Sequence, residues 1–211
     1  MVADSKANTY NQIVRKLSAL EKGRIFFPID FIDDGSSEAV RQSLVRLEKE
    51  SYLKRLARGI YFVPKVDPLL GILYPSSEEI AKAIAQRDKA RIMPAGIYAL
   101  NRLGLSTQVP LKITYLTDGS PRKIQTGKLT ITFKTTSAKN LSLRGEISSL
   151  VIQALRELGP QGVTREILSR IGTLLAKESP EILEHDRRLA PGWIRKLLFR
   201  PADSHANANK D

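Results

Sequence analysis

The sequence contains no cysteine, one tryptophan and only two histidines, His185 and His205. Without thiolates there are no disulfides, cysteine-ligated zinc centres or thiol nucleophiles, and two imidazoles leave little for metal or triad chemistry. No metal and no cofactor is expected. No apolar run approaches the roughly 20 residues that cross a bilayer. The opening Met1-Val2-Ala3-Asp4-Ser5-Lys6 lacks the apolar stretch of a signal peptide. These absences predict a cytoplasmic protein with no membrane partner. A glycine-rich strand-to-helix run ending in Lys-Ser or Lys-Thr is missing as well, so no phosphate-cradling loop is expected.

What is present is positive charge on a globular background. The 211 residues are 42% hydrophobic, enough for an ordinary core, and 34 Lys and Arg face 22 Asp and Glu for a net charge of +12. A field of that sign favours polyanions, nucleic acid first among them. Residues 1–66 hold 12 basic and 8 acidic groups, residues 67–142 hold 11 and 5, and residues 143–211 hold 11 and 9, so the excess lies in the first two thirds. Pattern changes at these points predict an α+β protein with four segments: a winged helix-turn-helix over 1–66, a small α/β domain over 67–142, a helical region over 143–200, and a flexible polar tail over 201–211.

The first segment carries the clearest local signals. Ile13, Leu17 and Leu20 recur at helical spacing with Val14 beside them, and Gly23 follows as a left-handed cap. Arg24 to Phe27 reads as extended, Pro28 opens a short helix through Ile32, and Asp33-Asp34-Gly35 ends it. Ser36 or Ser37 then caps a helix with Glu38 in its first turn and Val40, Leu44 and Leu47 as its buried stripe. Leu53 to Ala57 and Ile60 to Val63 read as a hairpin joined by Arg58-Gly59. Helix, short helix, helix, hairpin is the order of a winged helix.

That stripe turns Glu38, Gln42, Val45, Arg46 and Lys49 outward, with Arg41 on the flank. A major groove admits one such helix, and Arg pairs with two guanine acceptors, Gln with adenine, and Val with a thymine methyl. Ser37, Arg41, Gln42, Val45 and Arg46 are therefore the candidate groove contacts. Lys54, Arg55 and Arg58 are the candidate backbone contacts, because residues 51–66 contain no acid. A solvated basic helix face, or a winged helix used for protein contacts alone, is the plainer alternative.

The run from Ala39 to Leu47 followed by Leu53-Lys54-Arg55-Leu56-Ala57-Arg58-Gly59-Ile60-Tyr61 resembles the N-terminal domain of AbiEi-type antitoxins. The similarity continues through Tyr74-Pro75-Ser76-Ser77-Glu78-Glu79-Ile80-Ala81, Pro94 to Asn101, Gln108-Val109-Pro110 and Tyr115-Leu116-Thr117-Asp118-Gly119, and fades beyond about residue 135. The resemblance implies a type IV toxin-antitoxin system. Its members repress their own operon at inverted repeats and counteract a co-encoded nucleotidyltransferase-like toxin through their later domains, without necessarily forming a stable complex with it.

In the middle segment Ser76 and Glu79 have capping-box spacing, predicting a helix to about Asp88. Arg91 to Met93, Lys112 to Thr117 and Lys128 to Lys134 read as strands, with a helix over 96–103. Its basic groups, Arg91, Arg102, Arg122, Lys123, Lys128, Lys134 and Lys139, suit either an extended DNA footprint or a solvated sheet rim. A metal-dependent nuclease needs converging carboxylates, and only Asp67, Glu78, Glu79, Asp88 and Asp118 are at hand, each with a local structural explanation. The chain therefore reads as a non-enzyme, with a ligand-sensing one-component regulator as the competing class. Helices follow over 145–158 and 163–175, and Ser179-Pro180-Glu181 starts a third that Pro191-Gly192 breaks. Trp193 is expected in the core.

Overall fold

The computed structural model describes residues 2–198, with side chains from Asn8 onward; the tail expected over 201–211 lies outside them. The fold is α+β, as expected. The described residues fall into two compact units, 2–87 with 124–128, and 88–123 with 129–198.

The first unit opens with helix α1 (Val2–Ser18), the two-residue strand β1 (Ile25–Phe26), a 3₁₀ turn (Pro28–Asp34) and helix α2 (Ser37–Lys49). Strands β2 (Lys54–Ala57) and β3 (Ile60–Phe62) follow as a hairpin, and β1 completes an antiparallel sheet in the order β1-β3-β2. Gly59 at φ +71 makes the two-residue hairpin turn, a conformation open to glycine. The helices close over Ile13, Leu17, Val40, Leu44, Leu47 and Leu53, all at most 2% exposed. Each such burial contributes about 1.5–3 kcal/mol before the cost of ordering the chain.

One local expectation fails. α1 ends at Ser18, so Gly23 does not cap it; at φ +92 its N–H donates instead to the Val63 carbonyl at 2.7 Å, tying the turn before β1 to the sheet. Two more strands, β4 (Lys65–Asp67) and β5 (Gly71–Leu73), form a separate antiparallel ribbon. Helix α3 (Ser77–Arg87) starts from the expected capping box: Ser76 Oγ accepts from the Glu79 N–H at 3.2 Å, and Glu79 accepts from the Ser76 N–H at 2.7 Å. The buried face of α3, Ile80, Ala81, Ile84 and Ala85, assigns it to the first unit, where it packs on β1.

The second unit contains β6 (Ile92–Ala95), α4 (Ile97–Arg102), β7 (Lys112–Thr117) and β9 (Leu129–Thr135); β8 (Arg122–Thr126) is divided between the two units at Ile124, and the sheet order is β6-β7-β9-β8. β6 and β7 are antiparallel, whereas β7 and β9 are parallel, with Tyr115 opposite Phe133. As the alternation predicted, Ile131 and Phe133 are buried and Lys134 is exposed. β8 was not foreseen. It has one apolar residue, Ile124, and lies at the sheet edge, where charged and polar side chains suit an unpaired rim.

Helices α5 (Glu146–Leu158), α6 (Arg165–Leu175), α7 (Pro180–Leu189) and α8 (Gly192–Leu198) complete this unit. They share one core with α4, including Ala99, Leu100, Leu155, Ile171 and Ile194. Only part of the middle segment, 88–123 with 129–142, therefore forms one unit with the C-terminal helices, while 67–87 and 124–128 go with the first unit. Ser179 caps α7 and Pro180 occupies its first turn, and Trp193 packs partly buried against this core. α5 is buried on every side from Ser148 to Leu155, a fuller burial than the single expected stripe, because α4, β6, α6 and α7 all pack around it.

Candidate nucleic-acid interface

α2 is positioned by its ends and its buried face. Ser36 Oγ accepts from the Ala39 N–H at 3.2 Å, and Ala39, Val40, Ser43, Leu44 and Leu47 face inward. Ser37, Arg41, Gln42 and Arg46 are consequently exposed, and Val45 is half-buried between them. The helical wheel puts Val45 at the centre of the outer face, Arg41 and Gln42 to either side of it, and Ser37 and Arg46 farther out in opposite directions.

Two of the candidate readers are already held by one acid. Glu38 accepts from Arg41 Nε at 3.0 Å and Nη2 at 2.7 Å, and from Gln42 Nε2 at 2.7 Å. The hydrogen bond to Glu38, and then its charge, raise the Arg41 pKa above its ordinary value. These contacts are exposed, so breaking them to reach a base edge costs little. Glu38 was read from the sequence only as a first-turn acid. Its spacing three and four residues before Arg41 and Gln42 was the signal that identifies it as their partner.

Arg46 is held more firmly. Its Nε donates to Glu50 at 2.8 Å, and its guanidinium lies 4.4 Å from the centre of the Tyr10 ring. The Tyr10 hydroxyl also donates to Glu50, and that hydrogen bond, followed by the one from Arg46, lowers the Glu50 pKa. Tyr10 belongs to α1, so no spacing within α2 reveals it. Arg46 is thus a fixed cation at the helix flank, suited to a phosphate more than to a base edge.

The hairpin supplies the second cluster. Lys54 is half-buried at the start of β2, Arg55 is exposed, and Arg58 is exposed at the turn. Arg55 Nε donates to the Ala57 carbonyl at 3.2 Å, where the β2 to β3 register shifts. Arg58 has no hydrogen bond or ion pair among the described residues. An exposed cation at a hairpin tip, held by no other side chain, is open to a phosphate backbone.

The acids of the middle segment are each engaged locally. Asp67 accepts from the Leu69 and Leu70 N–H groups, Glu78 pairs with Lys82 at 2.8 Å, Glu79 completes the capping box, and Asp88 binds Arg122. Asp118 accepts from the Arg91 N–H at 2.7 Å and from its Nε at 2.8 Å, contacts that lower its pKa. Among the described residues no three His, Asp or Glu side chains are grouped so as to hold a metal ion, and no helix is long and apolar enough to cross a membrane.

The family described as "Family of unknown function (DUF6088)" matches residues 12–183. No curated protein matches the chain. Among solved structures, the chain is similar to the RV2827C protein from Mycobacterium tuberculosis, with 13% identity and a TM-score of 0.45 over 92% of this chain and 80% of that one.

Proposed function

The chain belongs to DUF6088, a family of unknown function, and we propose that this member is a cytoplasmic, non-enzymatic regulator that binds double-stranded operator DNA through α2 and the β2–β3 hairpin. The observation that carries the reading is the pairing of an exposed Arg41-Gln42 face on α2 with a hairpin whose residues 51–66 include no acid. A helix of this kind fits a major groove, and a basic hairpin beside it meets phosphates or the minor groove. The net charge of +12 supports the same partner.

The second half of the proposal rests on the resemblance to AbiEi-type antitoxins. It assigns the DNA as the promoter of the protein's own operon, most naturally an inverted repeat, and a neighbouring nucleotidyltransferase-like toxin as the activity to be counteracted. The later elements would carry that role, with or without direct contact.

A gel-shift titration with the upstream region of the gene against random DNA tests the first half. Equal affinity for both sequences rejects operator recognition. Co-expression of the full chain with the product of the adjacent reading frame tests the second half: growth arrest that the full chain relieves supports the antitoxin role, and unrelieved arrest rejects it. An Arg41→Ala, Arg58→Ala double variant that still relieves arrest separates that role from DNA binding.

A further inference from the structure

Among the candidate DNA contacts, Arg46 is tied to a second helix. Tyr10, on α1, packs partly buried against the core that joins α1 to α2, and the Arg46 guanidinium lies over its ring, 4.4 Å from the centre. Glu50 closes the set. Its Oε2 accepts from the Tyr10 hydroxyl, and its Oε1 accepts from Arg46 Nε at 2.8 Å.

This arrangement engages one edge of the guanidinium and leaves the other open. Both Nη groups of Arg46 are without a hydrogen bond among the described residues, and the side chain is 67% exposed. A ring against the guanidinium face and a carboxylate on Nε hold a plane that otherwise turns about several bonds. The open Nη pair is the fork that matches two phosphate oxygens.

Lys49 provides the contrast. It lies one turn further along α2, exposed and without a hydrogen bond or ion pair among the described residues. A free lysine loses its side-chain freedom when it meets a phosphate, whereas Arg46 has lost most of its own before DNA arrives.

We propose that Tyr10 and Glu50 are positioning residues for DNA binding: they hold Arg46 with its Nη edge open to a backbone phosphate, so that α1 contributes to affinity through α2. This rests on the reading that α2 lies on DNA. The hydrogen bond between the two raises the Tyr10 pKa and, with the one from Arg46, lowers that of Glu50. At neutral pH the phenol therefore stays protonated and the carboxylate charged.

Fluorescence anisotropy of the full chain, on the upstream region of the gene and on random DNA across a series of salt concentrations, tests this. Arg46→Ala is expected to weaken both complexes and to reduce the slope of log affinity against log salt by about one, as the loss of a phosphate contact does. Tyr10→Leu keeps every charge. It is expected to weaken both complexes by about three- to tenfold, the scale of ordering one long side chain on binding, with the slope unchanged. Tyr10→Phe keeps the ring without the hydroxyl and should fall between Tyr10→Leu and wild type.

A cycle with Arg46 separates positioning from folding. In an Arg46→Ala background Tyr10→Leu is expected to have no further effect on affinity, while in a Lys49→Ala background its full loss should remain. Should Tyr10→Leu lower the melting temperature, the same cycle is run with Tyr10→Phe, for which a loss of about two- to threefold is expected. An equal loss with and without Arg46, or a Tyr10→Phe variant that binds as wild type does, would overturn the proposal. So would an Arg46→Ala variant with the wild-type salt slope; if Arg58→Ala still lowers that slope, the reading of α2 and the hairpin stands without it. A wild-type chain that binds neither DNA would overturn both.

Discussion

Glu38 holds Arg41 through both carboxylate oxygens, 3.0 Å from Nε and 2.7 Å from Nη2, while one of those oxygens also takes Gln42 Nε2 at 2.7 Å. The two side chains best placed to read bases are thus kept in one orientation on the free helix. An acid at this point also repels phosphate, so Arg41 and Gln42 would gain from DNA only where base contacts replace the ones they make with Glu38.

Removing that acid has a defined consequence. Glu38→Gln is expected to raise affinity for random DNA by about two- to fivefold, the scale of an exposed ion pair, and to raise operator affinity less. Fluorescence anisotropy with both duplexes measures the ratio. An unchanged ratio would show that Glu38 takes no part in discrimination.

Arg41→Ala and Gln42→Ala should act in the other direction. Each is expected to lower the operator-to-random affinity ratio by about ten- to hundredfold, as the loss of a paired base contact does. Retention of the wild-type ratio in a gel-shift titration would remove these residues from the reading face.

Arg58→Ala tests the hairpin. A phosphate contact weakens binding to all sequences alike and reduces the slope of log affinity against log salt by about one. Sequence-selective loss, with the slope intact, would place Arg58 on a base instead.

Acid stability is expected to depend on two carboxylates of α7, Glu184 and Asp186. Burial pushes the Asp186 carboxyl up, but hydrogen bonds from His185, Ser148 Oγ and the Arg144 and Gly145 N–H groups outweigh it and hold its pKa below the usual value. Glu184 is held at about 2 by Arg187 and Arg188. A carboxyl depressed by folding contributes stability that is complete above its unfolded pKa and lost as pH falls through the folded one. The urea midpoint is therefore expected to hold from neutrality down to pH of about 4 and to fall below it. Asp186→Asn should cost about 3 kcal/mol at neutral pH, since it strands buried donors, and should flatten the acid decline.

Gly145 is a steric requirement. A Cβ built there would lie 2.1 Å from Ser148 Oγ and 2.5 Å from Glu178 Oε2. Gly145→Ala is expected to destabilise by about 1–3 kcal/mol, the cost of overpacking, although its φ of −77° suits alanine. Thermal melts that match wild type would mean that Glu178 moves aside freely.

Short-range chemistry was legible from the residues alone. Ser36 caps α2, Ser76 and Glu79 form their box, Pro180 opens α7, and the spacing of Val40, Leu44 and Leu47 decides which side of α2 faces out. Each depends on residues within one or two helical turns. The candidate readers were legible for that reason, as was the two-residue hairpin that carries Arg58.

Contacts between distant parts of the chain set the rest. Tyr10 immobilises Arg46 from another helix. The N-terminus of α5 has no capping side chain of its own; Glu178 accepts from the Ile147 and Ser148 N–H groups, and Asp186 accepts from those of Arg144 and Gly145. The edge strand β8 carries no alternation to reveal it, and α3 joins the first unit through a face that suits any apolar partner. Such pairings join residues some 30 to 40 positions apart, and periodicity records which side of an element is apolar but not what will cover it.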